Sequence, residues 1–249
     1  MKMWICGVVI LLVAAGGRAD LSATSSVEDT LQALDEVGKD LKSFTADVKL
    51  LENDLISQDT TSRSGKAIYQ KKGDETRMRV SFDKRTQDNV TQEQKIDYLL
   101  DKGWLVDRNY ARKLEVNRQV LRPGEKINLL KLGEGPFPLP IGQKPEEVQK
   151  QFDVKRVELA TNELPDAVHL QLTPKPGSQF ERKFATIDVW VDFKSNLPKR
   201  VETVDKNNTL LRGTELTNFK INPDIPDADF KLPEITTQDW QRRDEPYGD

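Results

Sequence analysis

The chain reads as an α+β protein, mainly β, with one opening helix and an antiparallel meander of about ten or eleven strands that curls towards a barrel. Three observations predict this. Apolar residues recur at helical spacing just after residue 25, the apolar period falls towards two from about residue 45, and clusters of Gly, Asp and Asn separate the runs that follow. Curling is expected because a large antiparallel sheet must shield its edge strands from pairing with other chains.

Ahead of the helix stands a leader. Lys2 precedes an apolar run of about 13 residues, and Gly17-Arg18-Ala19 supplies a small-residue exit before Asp20. A membrane span needs roughly 20 apolar residues, so residues 1–19 read as a secretory signal peptide cleaved near Ala19. Cleavage removes Lys2 and Arg18 and no acid, which takes the formal net charge from −3 to about −5. Basic and acidic residues are interspersed along the rest, so a nucleic-acid partner, which wants a strongly basic face, is not expected. Cys6, the one cysteine, lies inside the leader ahead of most of the apolar run. The exported chain is therefore expected to have no disulfide, no thiolate metal site and no cysteine to carry a lipid anchor. It must stand on a hydrophobic core alone, read as one domain over residues 20–233 followed by a flexible tail at 234–249.

Ser25 and Glu28 fit a capping box, and Val27, Leu31, Leu34, Leu41 and Phe44 then recur at helical spacing. The strands expected next are 46–55, 64–70, 77–82, 97–100, 103–107, 113–116, 153–159, 167–173, 186–193, 199–205 and 210–221. In the clearest, Ile187, Val189, Val191 and Phe193 alternate with Asp188, Trp190 and Asp192. Turns are expected at Lys72-Gly73-Asp74, Asp101-Lys102-Gly103, Lys194-Ser195-Asn196 and Lys206-Asn207-Asn208. Between residues 121 and 152 the alternation stops. Two short helical segments, 125–132 and 145–152, flank a stretch rich in Gly and Pro. Ile127, Leu129, Leu130, Leu132, Phe137, Leu139 and Ile141 have no strand of their own there and must cover something. From Pro223 the chain reads as a last edge segment and then a charged end.

Catalytic chemistry is hard to find. His169 is the one histidine, so Ser-His-Asp, Cys-His and multi-histidine metal arrangements are not available, and its strand pattern places it on the surface. Nucleophile-elbow, zinc-protease, phosphate-loop and dinucleotide fingerprints are all missing. Asp188 and Asp192 share a strand face with Trp190 and could mimic a glycosidase pair, but a solvated face is the simpler expectation. Asn89-Val90-Thr91 and Asn207-Asn208-Thr209 match the glycosylation sequon, a pattern short enough to arise by chance. Arg77, Arg79, Lys84 and Arg85 form either a basic edge for phosphate or an acidic partner, or a charged outward strand face.

A series of short motifs runs in a telling order. Leu41-Lys42-Ser43-Phe44-Thr45-Ala46-Asp47-Val48 leads from helix to strand, and Gly65-Lys66-Ala67-Ile68-Tyr69-Gln70-Lys71-Lys72 with Thr76-Arg77-Met78-Arg79-Val80 forms a hairpin. Asp101-Lys102-Gly103-Trp104-Leu105-Val106-Asp107, Leu172-Thr173-Pro174-Lys175, Ile187-Asp188-Val189-Trp190-Val191-Asp192, Asp205-Lys206-Asn207-Asn208-Thr209 and Phe230-Lys231-Leu232-Pro233 follow. In this order and spacing the chain resembles the LolA/LolB lipoprotein-carrier superfamily over nearly all of its exported length. The resemblance implies an unclosed antiparallel β-barrel in which the segment at 121–152 is a short helical lid. It also implies a monomeric periplasmic carrier rather than an enzyme, needing no cofactor. Such a carrier takes acyl chains of lipoproteins or lipids into an apolar interior and moves them towards the outer membrane, between an inner-membrane donor complex and an outer-membrane acceptor.

Candidate lipid-binding residues are Met78, Val80, Phe82 and Trp104, with Ile127, Leu130, Phe137, Leu139 and Ile141 from the lid; the alternative for each is a filled core. Carriers of this family fasten the lid with the arginine of an Arg-Pro pair after the second strand, where this chain has Lys72-Gly73. Without a cysteine to lipidate, the chain is more similar to the soluble LolA type than to the anchored LolB type. A second reading is an envelope sensor or regulatory module of the same fold that binds a protein partner.

Overall fold

A computed structural model describes residues 20–122, 124, 125, 129, 130, 132, 140–159 and 164–248. The leader at 1–19 lies outside them, as does half of the helical segment expected at 125–132. Helix α1 (Val27–Asp40) is capped by Ser26: its Oγ accepts the Asp29 N–H at 3.1 Å, and Asp29 Oδ2 accepts the Ser26 N–H at 3.0 Å. This reciprocal capping box lies one residue beyond Ser25 and Glu28, because the Ser25 hydroxyl is already engaged by the Ser22 N–H at 2.9 Å. The helix buries Leu31, Leu34 and Val37.

Eleven strands follow, all at places where the apolar period predicts them. They are β1 (Ser43–Asp54), β2 (Thr60–Lys72), β3 (Glu75–Gln87), β4 (Val90–Asp101), β5 (Trp104–Asn109), β6 (Leu114–Gln119), β7 (Phe152–Val157), β8 (Ala167–Pro174), β9 (Phe184–Asp192), β10 (Pro198–Asp205) and β11 (Leu210–Ile221). Helix α2 (Pro145–Gln151) sits between β6 and β7, with Pro145 in its first turn, where a missing N–H costs nothing. A twelfth strand, β12 (Gln241–Glu245), corrects the expectation of a flexible tail: it pairs in parallel with β6. The tail is held by side chains rather than by an apolar face. Arg118 pairs with Glu245, Asn117 with Asp244 and Lys113 with Asp239, while Trp240 meets Tyr110 edge to face at 5.5 Å.

The strands form one sheet in the order β12-β6-β5-β4-β3-β2-β1-β11-β10-β9-β8-β7. Its end strands, β12 and β7, do not pair with each other, so the sheet is curled but not closed. Curvature is built in at Gly65. A Cβ there would fall 1.8 Å from the Ser81 carbonyl oxygen, and the register between β2 and β3 shifts at this point. On the inner face one core joins Leu31, Leu34 and Val37 of α1 to Phe44, Val80, Leu170 and Val189 of the sheet.

On the convex face, cross-strand register lines up Ile68, Arg79, Leu99 and Val106. The segment after β11 crosses this row as a strap, burying Ile225 and Phe230 against Leu99. Arg77 stacks on the Phe230 ring at 3.9 Å, Arg79 donates to the carbonyl oxygens of Asp229 (3.0 Å) and Lys231 (3.3 Å), and Arg108 donates to that of Pro233 (2.5 Å). Arg77 and Arg79, expected on an open charged face, are therefore engaged in fastening the C-terminal segment.

Candidate functional site

Because side chains alternate across a strand, the inner face can be read from register. Leu50 stands opposite Arg63 and Thr214, Met78 opposite Leu100, Val80 opposite Tyr98, and Val201 opposite Thr214. These rows enclose a cavity of about 400 Å³. Its walls are Leu50 and Glu52 of β1, Met78, Val80 and Phe82 of β3, Tyr98 and Leu100 of β4, and Leu105 of β5. Phe184 of β9, Val201 and Thr203 of β10, and Arg212 and Thr214 of β11 complete them. Phe82 and Tyr98 meet edge to face at 6.2 Å. The volume lies within the roughly 300–1,000 Å³ of ordinary ligand pockets.

The cavity has two chemically different ends. Towards α1 the inward residues of β1 are Phe44, Ala46, Val48 and Leu50; the next is Glu52. The same change occurs on β2, from Tyr69 and Ala67 to Arg63, and on β11, from Leu216 and Thr214 to Arg212. Glu52 accepts from both arginines, from Arg63 Nη1 at 3.1 Å and from Arg212 Nε at 3.1 Å. Arg63 Nε is buried without a hydrogen-bond partner. Burial pushes the Tyr98 phenol up, helped by the nearby Asp107 carboxylate. Asp107, opposite Tyr98, is likewise pushed up by burial, partly countered by Arg118, Arg112 and Arg63.

Of the residues expected from the sequence, Met78, Val80 and Phe82 line this cavity together. Trp104 does not. It borders a separate surface groove with Gln119, Leu121 and Arg122. Leu130 and Ile141 are buried in the main core, and the Ile141 N–H donates to the Leu130 carbonyl at 3.1 Å. Ile127, Phe137 and Leu139 lie outside the described residues. Leu50, Tyr98, Leu100, Val201 and Thr214 were not singled out by sequence reasoning. Each falls on an alternating strand, and register alone brings them around one cavity.

The expected surface position of His169 is overturned. Its ring is buried, stacked on Trp190 with centroids 4.1 Å apart, and Nε2 lies 2.8 Å from Asp188 Oδ1. Arg200 covers the other side of Trp190 at 4.9 Å, so this strand face is a packed polar layer and not a solvated one. Its carboxylates have structural partners. Asp188 accepts from Gln171 at 3.2 Å, while Asp192 accepts from the Ser195 N–H at 2.9 Å and pairs with Lys199 at 2.5 Å. Among the described residues, no group of three or more His, Cys, Asp or Glu side chains is arranged to hold a metal ion.

No protein-family model matches the chain, nor does any curated protein. Among solved structures, the chain is similar to an uncharacterized conserved protein from Thermus thermophilus, at 13% identity and a TM-score of 0.46, over 89% of this chain and all of that one. It is similar to Pseudomonas aeruginosa MucB in its complex with MucA, at 14% identity and a TM-score of 0.45, but covers 83% of this chain and only 60% of that one. It is also similar to a LolA superfamily protein from Nitrosomonas europaea, at 11% identity and a TM-score of 0.32, over 84% and 98% of the two chains.

Proposed function

We propose that this protein is an envelope carrier that shields acyl chains of lipoproteins or lipids in the cavity of its curled sheet, acting by binding and not by catalysis. The observation that carries this reading is the cavity itself, a space of about 400 Å³ walled mainly by Leu, Met, Val, Phe and Tyr side chains and left open beside the packed core. Protein interiors ordinarily close such voids, because lining atoms without contacts forfeit dispersion energy. An acyl chain restores those contacts and gains about 0.8 kcal/mol for each methylene taken from water. The unclosed sheet supports the reading as well, since a closed barrel of packed side chains gives no way in.

The test is native mass spectrometry with lipid extraction on the chain from Asp20, purified from its own envelope. Acyl-bearing molecules should co-purify. They should be lost when Val201 and Thr214 are both replaced by Phe, substitutions that fill the space while leaving an apolar core. A bare mass that no acylated ligand shifts would sink the proposal. It would favour a module for a protein partner, for which β7 offers one open strand edge to an added strand.

A further inference from the structure

The cavity's second end says what kind of head group its occupant carries. Where the inward residues turn from apolar to charged, Arg63, Arg212 and, by register opposite Arg63, Arg85 face the same side as Glu52. Glu52 is shared between Arg63 and Arg212 and cannot satisfy both guanidinium groups, each of which presents five donors. Arg63 Nε remains buried and unpartnered, a costly state for a charged group unless an acceptor arrives. Arg85 donates to Gln87, a neutral partner, at 2.6 Å. Asp107 faces the same side on β5, two strands from β3, near Arg112 and Arg118.

We infer that the cavity binds an anionic amphiphile, with its acyl chain among Val80, Tyr98 and Val201 and its carboxylate or phosphate held by Arg63 and Arg212. This rests on the carrier reading and makes it more specific. Guanidinium groups grip planar or tetrahedral oxyanions through paired N–H donors, and two of them beside one carboxylate leave a net positive site. Glu52 then acts as a placeholder. It holds Arg63 beside Arg212, which lines the cavity, when no ligand is present and competes with the incoming anion.

Three ligands with the same oleoyl chain separate the possibilities: oleate, lysophosphatidic acid and the neutral monoolein, titrated calorimetrically against the chain from Asp20. At least one anionic ligand should bind about tenfold or more tighter than monoolein, as charge-assisted hydrogen bonds predict. Whether oleate or the lysophosphatidic acid gains more assigns the head group to carboxylate or phosphate. Arg63→Gln and Arg212→Gln should each erase the anionic advantage, bringing the anionic ligands down to the affinity of monoolein for the same variant, and Arg63→Lys should keep part of it. Glu52→Gln should tighten the anionic ligands, a gain that a merely structural ion pair does not produce. Equal binding of all three ligands would overturn the head-group inference and leave the carrier reading standing. Binding of none would overturn both.

Discussion

Asp97 shows how much one carboxylate can organise. It is fully buried, yet it accepts from the Ser81 hydroxyl, from the Tyr110 hydroxyl at 2.8 Å and from Arg79 Nη2 at 3.0 Å. Burial pushes its carboxyl up, but the hydrogen bonds from Ser81, Tyr110 and Arg79 outweigh this and hold it below the usual range. Asp97→Ala leaves Arg79 without its anion and should cost about 3–5 kcal/mol in denaturant unfolding. Asp227 is held down to about 2 by hydrogen bonds from Lys72 and then Arg77. A depressed carboxylate stabilises fully above its unfolded value, near 3.9, and less as pH falls towards its folded value. The strap should therefore loosen between about pH 4 and 2, seen as Phe230 ring resonances moving towards free-chain positions in an NMR titration. Resonances that stay fixed down to pH 2 would contradict this. The sequence displays these residues as ordinary charges. Whether Arg77 meets water or a returning segment 150 residues away is settled by tertiary packing, and periodicity carries no record of it.

At the scale of elements, local pattern was most informative where one face is apolar. Strand β9 could be read from Ile187, Val189 and Val191 alone, all fully buried. The outer halves of β3 and β4 could not, because from Asp83 to Gln87 and from Thr91 to Lys95 polar residues occupy both faces; a turn at Asp88 and Asn89, with φ of 51° and 61°, joins the strands. Strand β12 reads Gln241-Arg242-Arg243-Asp244-Glu245 and has no apolar side, so only its cross-strand partners reveal it. Helix α1 carries a further dependence. A Cβ on Gly38 would lie 2.3 Å from the Gly142 Cα, where the Gly142 N–H donates to the Leu34 carbonyl at 3.0 Å. In an isolated helix Gly38→Ala gains about 1 kcal/mol. Here the sign should reverse, with a lower melting temperature and weaker amide protection at Gly142. A stabilised variant would show that the helix and this crossing yield easily.

For the whole molecule, the candidate cavity was half visible in advance. Met78, Val80 and Phe82 alternate on one strand and were found, but the opposing wall comes from Val201 and Thr214, more than a hundred residues later. Nothing in a one-dimensional pattern fixes the register that brings them face to face. That register depends on one seam. Every neighbouring pair from β1 to β6 is consecutive in sequence, as is every pair from β7 to β11, and the two sets join where residues 44–54 of β1 meet 210–221 of β11. The chain thus consists of two meanders with short loops inside each and a long separation between them. Closing long separations is entropically slow, whereas adjacent hairpins form within microseconds. Pulse-labelled refolding should accordingly protect amides within each meander before those on the β1–β11 seam. The cavity, walled from both sides of that seam, comes into being in the last step, so that a newly made chain lacks this space until it has finished folding.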